Sequence, residues 1–247
     1  MNQESRVLKS PEDWNIQWNK WFGSYSKGNP RLGKWLHLSY PLKQSTVLEI
    51  GAGSGRESRY LATIARSVTC VDFSPDAVNH LSASGLPPNM VSLQANAMCL
   101  PFKDACFDLT FQQGVWILFS NDQEIILLLR EQLRVTRNLA LAVVQNALNK
   151  KQIREAEVKA RTDPLFRFRF FSPYELQLIA ERALLSTDIK TKIRIRKYGS
   201  PILSQWLSPL GELGKRIAAK VYCCLPWSQI ECAVLEITLK RNKEPFF

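Results

Sequence analysis

The chain has 247 residues, 45% hydrophobic and 22% charged, which suits one large α/β domain with a sizeable core. No apolar run approaches the roughly 18 residues of a membrane span, and residues 1–11 are polar. Neither a membrane helix nor a signal peptide is therefore expected, and a cytoplasmic protein is. Two histidines and six cysteines without a C-x-x-C pair argue against a metal site and for reduced thiols. The formal charge of +11 is uneven. Residues 1–45 carry seven Lys/Arg against three Asp/Glu, residues 46–148 seven against nine, and residues 149–247 nineteen against ten. The basic surplus thus falls outside the middle of the chain. It suits an anionic substrate, an acidic membrane surface, nucleic acid or a solvated face alike.

Ser10-Pro11-Glu12-Asp13 predicts a helix start close to a capping box. Trp14, Trp18, Trp21 and Phe22 follow at i, i+4, i+7 and i+8, on one helical face. An aromatic stripe of this kind more often docks on a core than lines a binding site. Gly23–Lys34, with three glycines and Pro30, reads as a loop able to move. Residues 1–41 form an expected N-terminal helical cap.

The central stretch is Val47-Leu48-Glu49-Ile50-Gly51-Ala52-Gly53-Ser54-Gly55-Arg56. A strand runs into three alternating glycines and then into a helical pattern, an arrangement that lets a ligand approach bare backbone at a helix N-terminus. The spacing excludes a G-x-G-x-x-G dinucleotide turn, because Arg56 stands at the third glycine position. It also lacks the Lys-Ser or Lys-Thr of a phosphate-binding loop. Val68–Asp72 is a second strand ending in a carboxylate about 20 residues after the first glycine, the spacing of a ribose-binding acid. Ser74 and Pro75 then open a helix.

The acid-x-G-x-G-x-G pattern resembles the first motif of the class I S-adenosylmethionine-dependent methyltransferases, in particular those acting on small molecules. The resemblance implies S-adenosylmethionine as cofactor, with Glu49, Gly51, Ala52, Gly53 and Gly55 beside it and Asp72 and Phe73 at its ribose. It also implies that the segment before the motif covers the cofactor mouth, which brings Tyr25, Trp35 and His37 towards the pocket. His37, Tyr25 and Tyr40 are the candidate proton acceptors.

Met90–Ala95 reads as a third strand. Asn96-Ala97-Met98-Cys99-Leu100-Pro101-Phe102 resembles the family's Asp-Ala-x-x-Leu-Pro-Phe segment at the adenine edge, with Asn96 in place of the usual Asp. Either side chain offers an oxygen to the adenine amino group. Phe107–Gln112 is the fourth strand. Gln112, Gln113 and Trp116 fall at its C-terminal tip, where open α/β sheets bind ligands. The histidines many relatives carry here are replaced by Ile117-Leu118-Phe119. Ser120–Arg137 predicts a helix and Leu139–Gln145 a fifth strand, with Asn138 as a left-handed cap between them.

Residues 146–171 are expected to form a lid across the strand tips. Within it Phe166-Arg167-Phe168-Arg169-Phe170 alternates, so an extended chain puts aromatics on one face and guanidiniums on the other. Arg167 and Arg169 are the candidate holders of an anionic group. A helix from Ser172 to Leu185 and strands over Asp188–Lys197 and Cys232–Lys240 follow, with a second lid segment expected at 199–230.

The pattern favours one α/β domain over residues 1–247, with a cofactor-binding core at 42–145 and a substrate-side half at 146–247. The resemblance implies a Rossmann-like three-layer sandwich whose seven-stranded, mostly parallel sheet has the order 3-2-1-4-5-7-6. The expected activity is methyl transfer from S-adenosylmethionine to a small or lipid-like acceptor carrying an anionic group. A basic RNA-associated methyltransferase and a non-catalytic cofactor-binding partner subunit are the alternatives; nucleic acid is the less favoured partner, since no RNA-binding module stands out.

Overall fold

A computed structural model describes residues 10–163, 166–185 and 189–240. Helix α1 (Pro11–Ser26) opens with the anticipated capping box: Ser10 Oγ accepts from the Asp13 amide and Asp13 accepts from the Ser10 amide, satisfying two amides that a helix start leaves open. Helix α2 (Arg31–Ser39) buries Leu32, Trp35 and Leu36. The remaining elements follow in order: β1 (Thr46–Ile50), α3 (Arg56–Ala62), β2 (Ser67–Asp72), α4 (Pro75–Ala83), β3 (Met90–Gln94), β4 (Phe107–Gln113), α5 (Asp122–Val135), β5 (Thr136–Gln145), α6 (Lys150–Lys159), α7 (Pro173–Leu184), β6 (Lys190–Tyr198), α8 (Pro201–Leu207), α9 (Gly211–Val221) and β7 (Cys232–Lys240).

Among the described residues the strands form one sheet of order β3-β2-β1-β4-β5-β7-β6. The pairs from β3 through β5 are parallel, and β7 runs antiparallel to both β5 and β6. Strands covered on both faces read as nearly unbroken apolar runs, as Val47-Leu48-Glu49-Ile50 does. On one face Leu32, Leu36, Leu61 and Leu81 pack on the sheet together with Tyr198, Ala218 and Tyr222. On the other, Ile125, Leu129 and Leu133 of α5 meet Leu176 and Ile179 of α7 over β5 and β7. Gln132, buried in α5, donates to the Leu141 carbonyl and to Thr110 Oγ1, tying the helix to β4 and β5.

Several expectations change. The loop expected over Gly23–Lys34 narrows to residues 27–30, because α1 runs to Ser26 and α2 starts at Arg31. Helix α5 starts one residue after its Asn121 cap and passes directly into β5. Thr136 turns the chain with extended angles (φ −88°, ψ 133°) while its hydroxyl donates to the Gln132 carbonyl at 2.6 Å, so Asn138 lies inside β5 and caps nothing. Of the aromatic stripe of α1 only Phe22 packs against the core, half-buried beside His80, whereas Trp14, Trp18 and Trp21 line a cleft, and no residue of the helix is fully buried. Asn15 and Asn19 bind Ser74, Asp76 and His80 on or beside α4, which leaves the tryptophans facing elsewhere. Residues 166–170 join no strand: Phe166 closes a turn on Asp163, the Arg169 amide donates to the Ile117 carbonyl at 2.8 Å, and a single bridge links Phe171 to Asn146. Finally, the 199–230 segment packs Leu203, Leu207, Ala218 and Tyr222 against the core beside α2. Asp188, the expected start of the sixth strand, lies outside the described residues.

Candidate active site

The turn after β1 is built by backbone bonds: the Gly51 and Ala52 amides donate to the Val71 carbonyl at 2.8 and 3.0 Å. Gly53 has φ +52°, and a Cβ there would stand 2.1 Å from the Trp18 ring. Glycine is required on both counts, for conformation and for the closeness of α1. Gly55 caps α3 in the left-handed region.

Two acids flank the turn. Asp72, 8% exposed at the end of β2, accepts from the Gly53 amide at 2.7 Å and the Ser74 amide at 2.9 Å. Burial pushes its carboxyl up, and these amides pull it back. Each oxygen keeps a lone pair, so the group can still take hydroxyl donors. Glu49, 4% exposed, accepts from the amide and hydroxyl of Ser58 on α3. Burial, opposed by the Ser58 hydroxyl, pushes it up to about 8.

Both acids open into a cleft of about 1930 Å³ at the C-terminal ends of the parallel strands. Its walls include Gly51, Ala52, Phe73, Asn96, Ala97 and Gln113, then Met98 and Ile117–Phe119. Trp14, Trp18, Trp21 and Tyr25 of α1 roof one side, with Gln152, Glu155 and Lys159 of α6 and Phe166 and Phe168 on another. The indole N–H groups of Trp18 and Trp21 are buried and unpartnered. Such donors cost roughly 1–3 kcal/mol each when left alone and suit the acceptor atoms of a bound polar ligand.

Asn96 sits where the adenine edge was expected, but its Oδ1 already accepts from the Met98 amide at 2.9 Å. That bond is available to Asp as well as Asn. Asn96→Asp is therefore expected to keep cofactor affinity within about tenfold, whereas Asn96→Leu frees the loop and should lose more. Calorimetry giving one affinity for all three proteins would remove Asn96 from the adenine edge.

The structure relocates several candidates. Tyr25 lines the cleft, edge-on to Trp18. His37 does not; it is exposed and bonds Tyr60 Oη at 3.1 Å. Tyr40 lies on a separate surface with Glu236 and Arg196, bonded at 2.7 and 2.8 Å. Burial and the Glu236 carboxylate push its phenol up, the wrong direction for a proton acceptor. Trp35 is in the core against Tyr198. Gln112 is buried and turned back, accepting from the Val115 amide. Trp116 is 1% exposed and packs on Phe171 in the core, not in the cleft.

Phe166, Phe168 and Phe170 meet in series with rings tilted by 46° and 42°. The guanidiniums face away from the cleft. Arg169 pairs with Asp122 at 2.7 Å and Glu175 at 3.3 Å, and its planar group covers Phe171. Arg167 reaches the Ala160 carbonyl. Neither lines the cleft, and among the described residues nothing from 199–230 does. The α1 tryptophans and the α6 residues were not anticipated as lining. The i, i+4, i+7 spacing carried the first signal but not its direction; the α6 residues fall in the 146–171 segment expected over the strand tips, though none of them was singled out.

Residues 47–138 match the family model of a methyltransferase domain. The chain is similar to a methyltransferase of Aquifex aeolicus described as S-adenosylmethionine-dependent, at 18% identity and TM-score 0.57 over 92% of this chain and 98% of that one. It is similar to the YcgJ protein of Bacillus subtilis, at 21% identity and TM-score 0.54 over 85% and 99%. A third likeness, at 16% identity and TM-score 0.59 over 90% and 97%, is to a complex of the Haloferax volcanii Trm112 methyltransferase activator with its partner protein. No curated protein matches the chain. The sheet order and the glycine turn define a Rossmann-like α/β domain with its cleft at the strand tips. The family match makes residues 47–138 methyltransferase-like, and that match together with the shared fold implies S-adenosylmethionine as the cofactor.

Proposed function

We propose that the protein transfers a methyl group from S-adenosylmethionine to a small acceptor with an apolar body, taken up between α1, α6 and residues 166–168. The observation that carries this reading is the turn Gly51–Gly55, flanked by Glu49 and Asp72, opening into one large cleft with aromatic walls. Pockets for a single drug-sized ligand measure roughly 300–1,000 Å³, so this cleft has room for cofactor and acceptor together.

Bound there, the cofactor supplies a methyl group already activated on a sulfonium. The task of the chain is then to hold the partners in line and keep water out. Asp72 would take the ribose hydroxyls, the Gly51–Gly53 backbone would allow close approach, and Asn96 and Ala97 would edge the adenine. The tryptophans of α1 and Phe166 and Phe168 would enclose the acceptor. Proton removal in the transition state is needed only where the acceptor holds its proton tightly, so the apolar Ile117–Leu118 does not weigh against activity. Arg167 and Arg169 give no support to an anionic group on the acceptor, because both are turned out of the cleft.

Calorimetry with S-adenosylmethionine and S-adenosylhomocysteine tests the reading. Asp72→Ala should weaken binding by about 1.5–3 kcal/mol through lost charge-assisted bonds, while circular dichroism shows the fold retained. Absence of binding by the folded wild-type chain would overturn the proposal.

A further inference from the structure

The charge of the cleft runs opposite to that of the chain. The whole sequence is +11, yet around the glycine turn Glu57 and Asp72 stand beside the protonated Glu49, and the one cation there among the described residues, Arg56, is already held by Glu57 at 2.8 Å. Farther out the lining carries Asp13, Glu124, Glu155 and Asp163 against Lys159, whose ammonium lies 5.1 Å over the Phe166 ring. Glu124 is half-buried and has no hydrogen bond or ion pair among the described residues. Glu155 meets Lys151 at 3.9 Å on the solvent side, a distance that holds neither side chain firmly.

Two further observations in the same cleft point to the ligand. Gln152 gives its amide N–H to Gln145, and its Oε1 is left buried without a donor. An orphan acceptor asks for an N–H or O–H group. Trp14, Trp18, Phe166 and Phe168 line the same cleft; the faces of aromatic rings attract cations and not anions, as the Lys159 ammonium over Phe166 illustrates. A carboxylate or phosphate placed here would lose water beside several like charges.

We propose that the methyl acceptor is an amine with an apolar, arylalkyl-like body, bound as its ammonium by Glu124 and Glu155 and enclosed by the aromatic walls, and that methylation falls on its nitrogen. This rests on the methyl-transfer reading above. For transfer the ammonium gives one proton to a carboxylate or to water. The nitrogen lone pair then forms the N–C bond as the C–S bond breaks, sulfur keeps the electron pair of that bond, and a methylated ammonium and a neutral thioether result.

The test titrates the full chain, saturated with S-adenosylhomocysteine, with three matched probes: 2-phenylethylamine, 3-phenylpropanoate and 2-phenylethanol. The amine is expected to bind at least tenfold more tightly than the carboxylate. Glu124→Gln and Glu155→Gln together should weaken amine binding at least fivefold and leave S-adenosylhomocysteine affinity as it was. Equal or tighter binding of the carboxylate or alcohol, amine affinity unchanged in the double variant, or binding of none of the three by the saturated protein would each overturn the amine assignment. Failure to bind S-adenosylhomocysteine would instead overturn the methyl-transfer reading, and this assignment with it.

Discussion

Gly53→Val is expected to abolish detectable cofactor binding, with an affinity loss of at least about a hundredfold, while leaving the sheet intact. Two effects add. A β-branched residue at φ +52° is strained by on the order of 1–3 kcal/mol, and its Cβ would overlap the Trp18 ring, 2.1 Å away. Helix α1 yields first, because it buries no residue and is held to α4 through a few polar bonds. Its tryptophans should then move into water, and their emission should shift to longer wavelength. Wild-type affinity in this variant would show that the turn does not carry the cofactor. An unshifted emission would show that α1 does not rest on Gly53.

A second large effect concerns pH. In the fold the Glu49 carboxyl is pushed up to about 8 by burial, from an ordinary 4.5. Between those values the folded chain holds a proton that the unfolded chain has lost. The contribution to stability is therefore complete below about 4.5, declines as pH rises, and is gone above about 8. From pH 5 to pH 8 the loss is on the order of 2–4 kcal/mol, or roughly 5–15 °C in Tm for a domain of this size. Glu49→Gln keeps a neutral group of the same shape beside Ser58 and removes the titration. Its Tm should therefore fall less than that of the wild type over this range. Parallel Tm curves for the two proteins would mean that Glu49 is ionised throughout.

Local chemistry was enough for much of the fold. Glycines at 51, 53 and 55 need positive φ, an acid about 20 residues later falls at the next strand tip, and Ser10, Ser74 and Ser172 cap helices through bonds to residues within three positions. These features act within a few residues or along one strand, so residue type and spacing determine them. The seventh strand, Cys232–Lys240, was legible for the same reason, its nearly continuous apolar, β-branched run being local.

What the sequence could not determine was which way a side chain faces once distant segments meet. Arg169 looks like a free guanidinium until Asp122, 47 positions away, is found beside it. Trp116 follows the tip of β4 in the chain, yet Phe171 draws it into the core. The tryptophan stripe of α1 has one face by periodicity, but α4 occupies the opposite side of the helix and turns that face to the cleft. The same holds for charge. The sequence determined a basic chain with its surplus outside the middle, whereas only the tertiary structure gathered Asp13, Glu124, Glu155 and Asp163 from three separate stretches around one cleft. Net charge sums over the whole chain; the field a ligand meets depends on the few groups within about a Debye length of it, and folding chooses those groups.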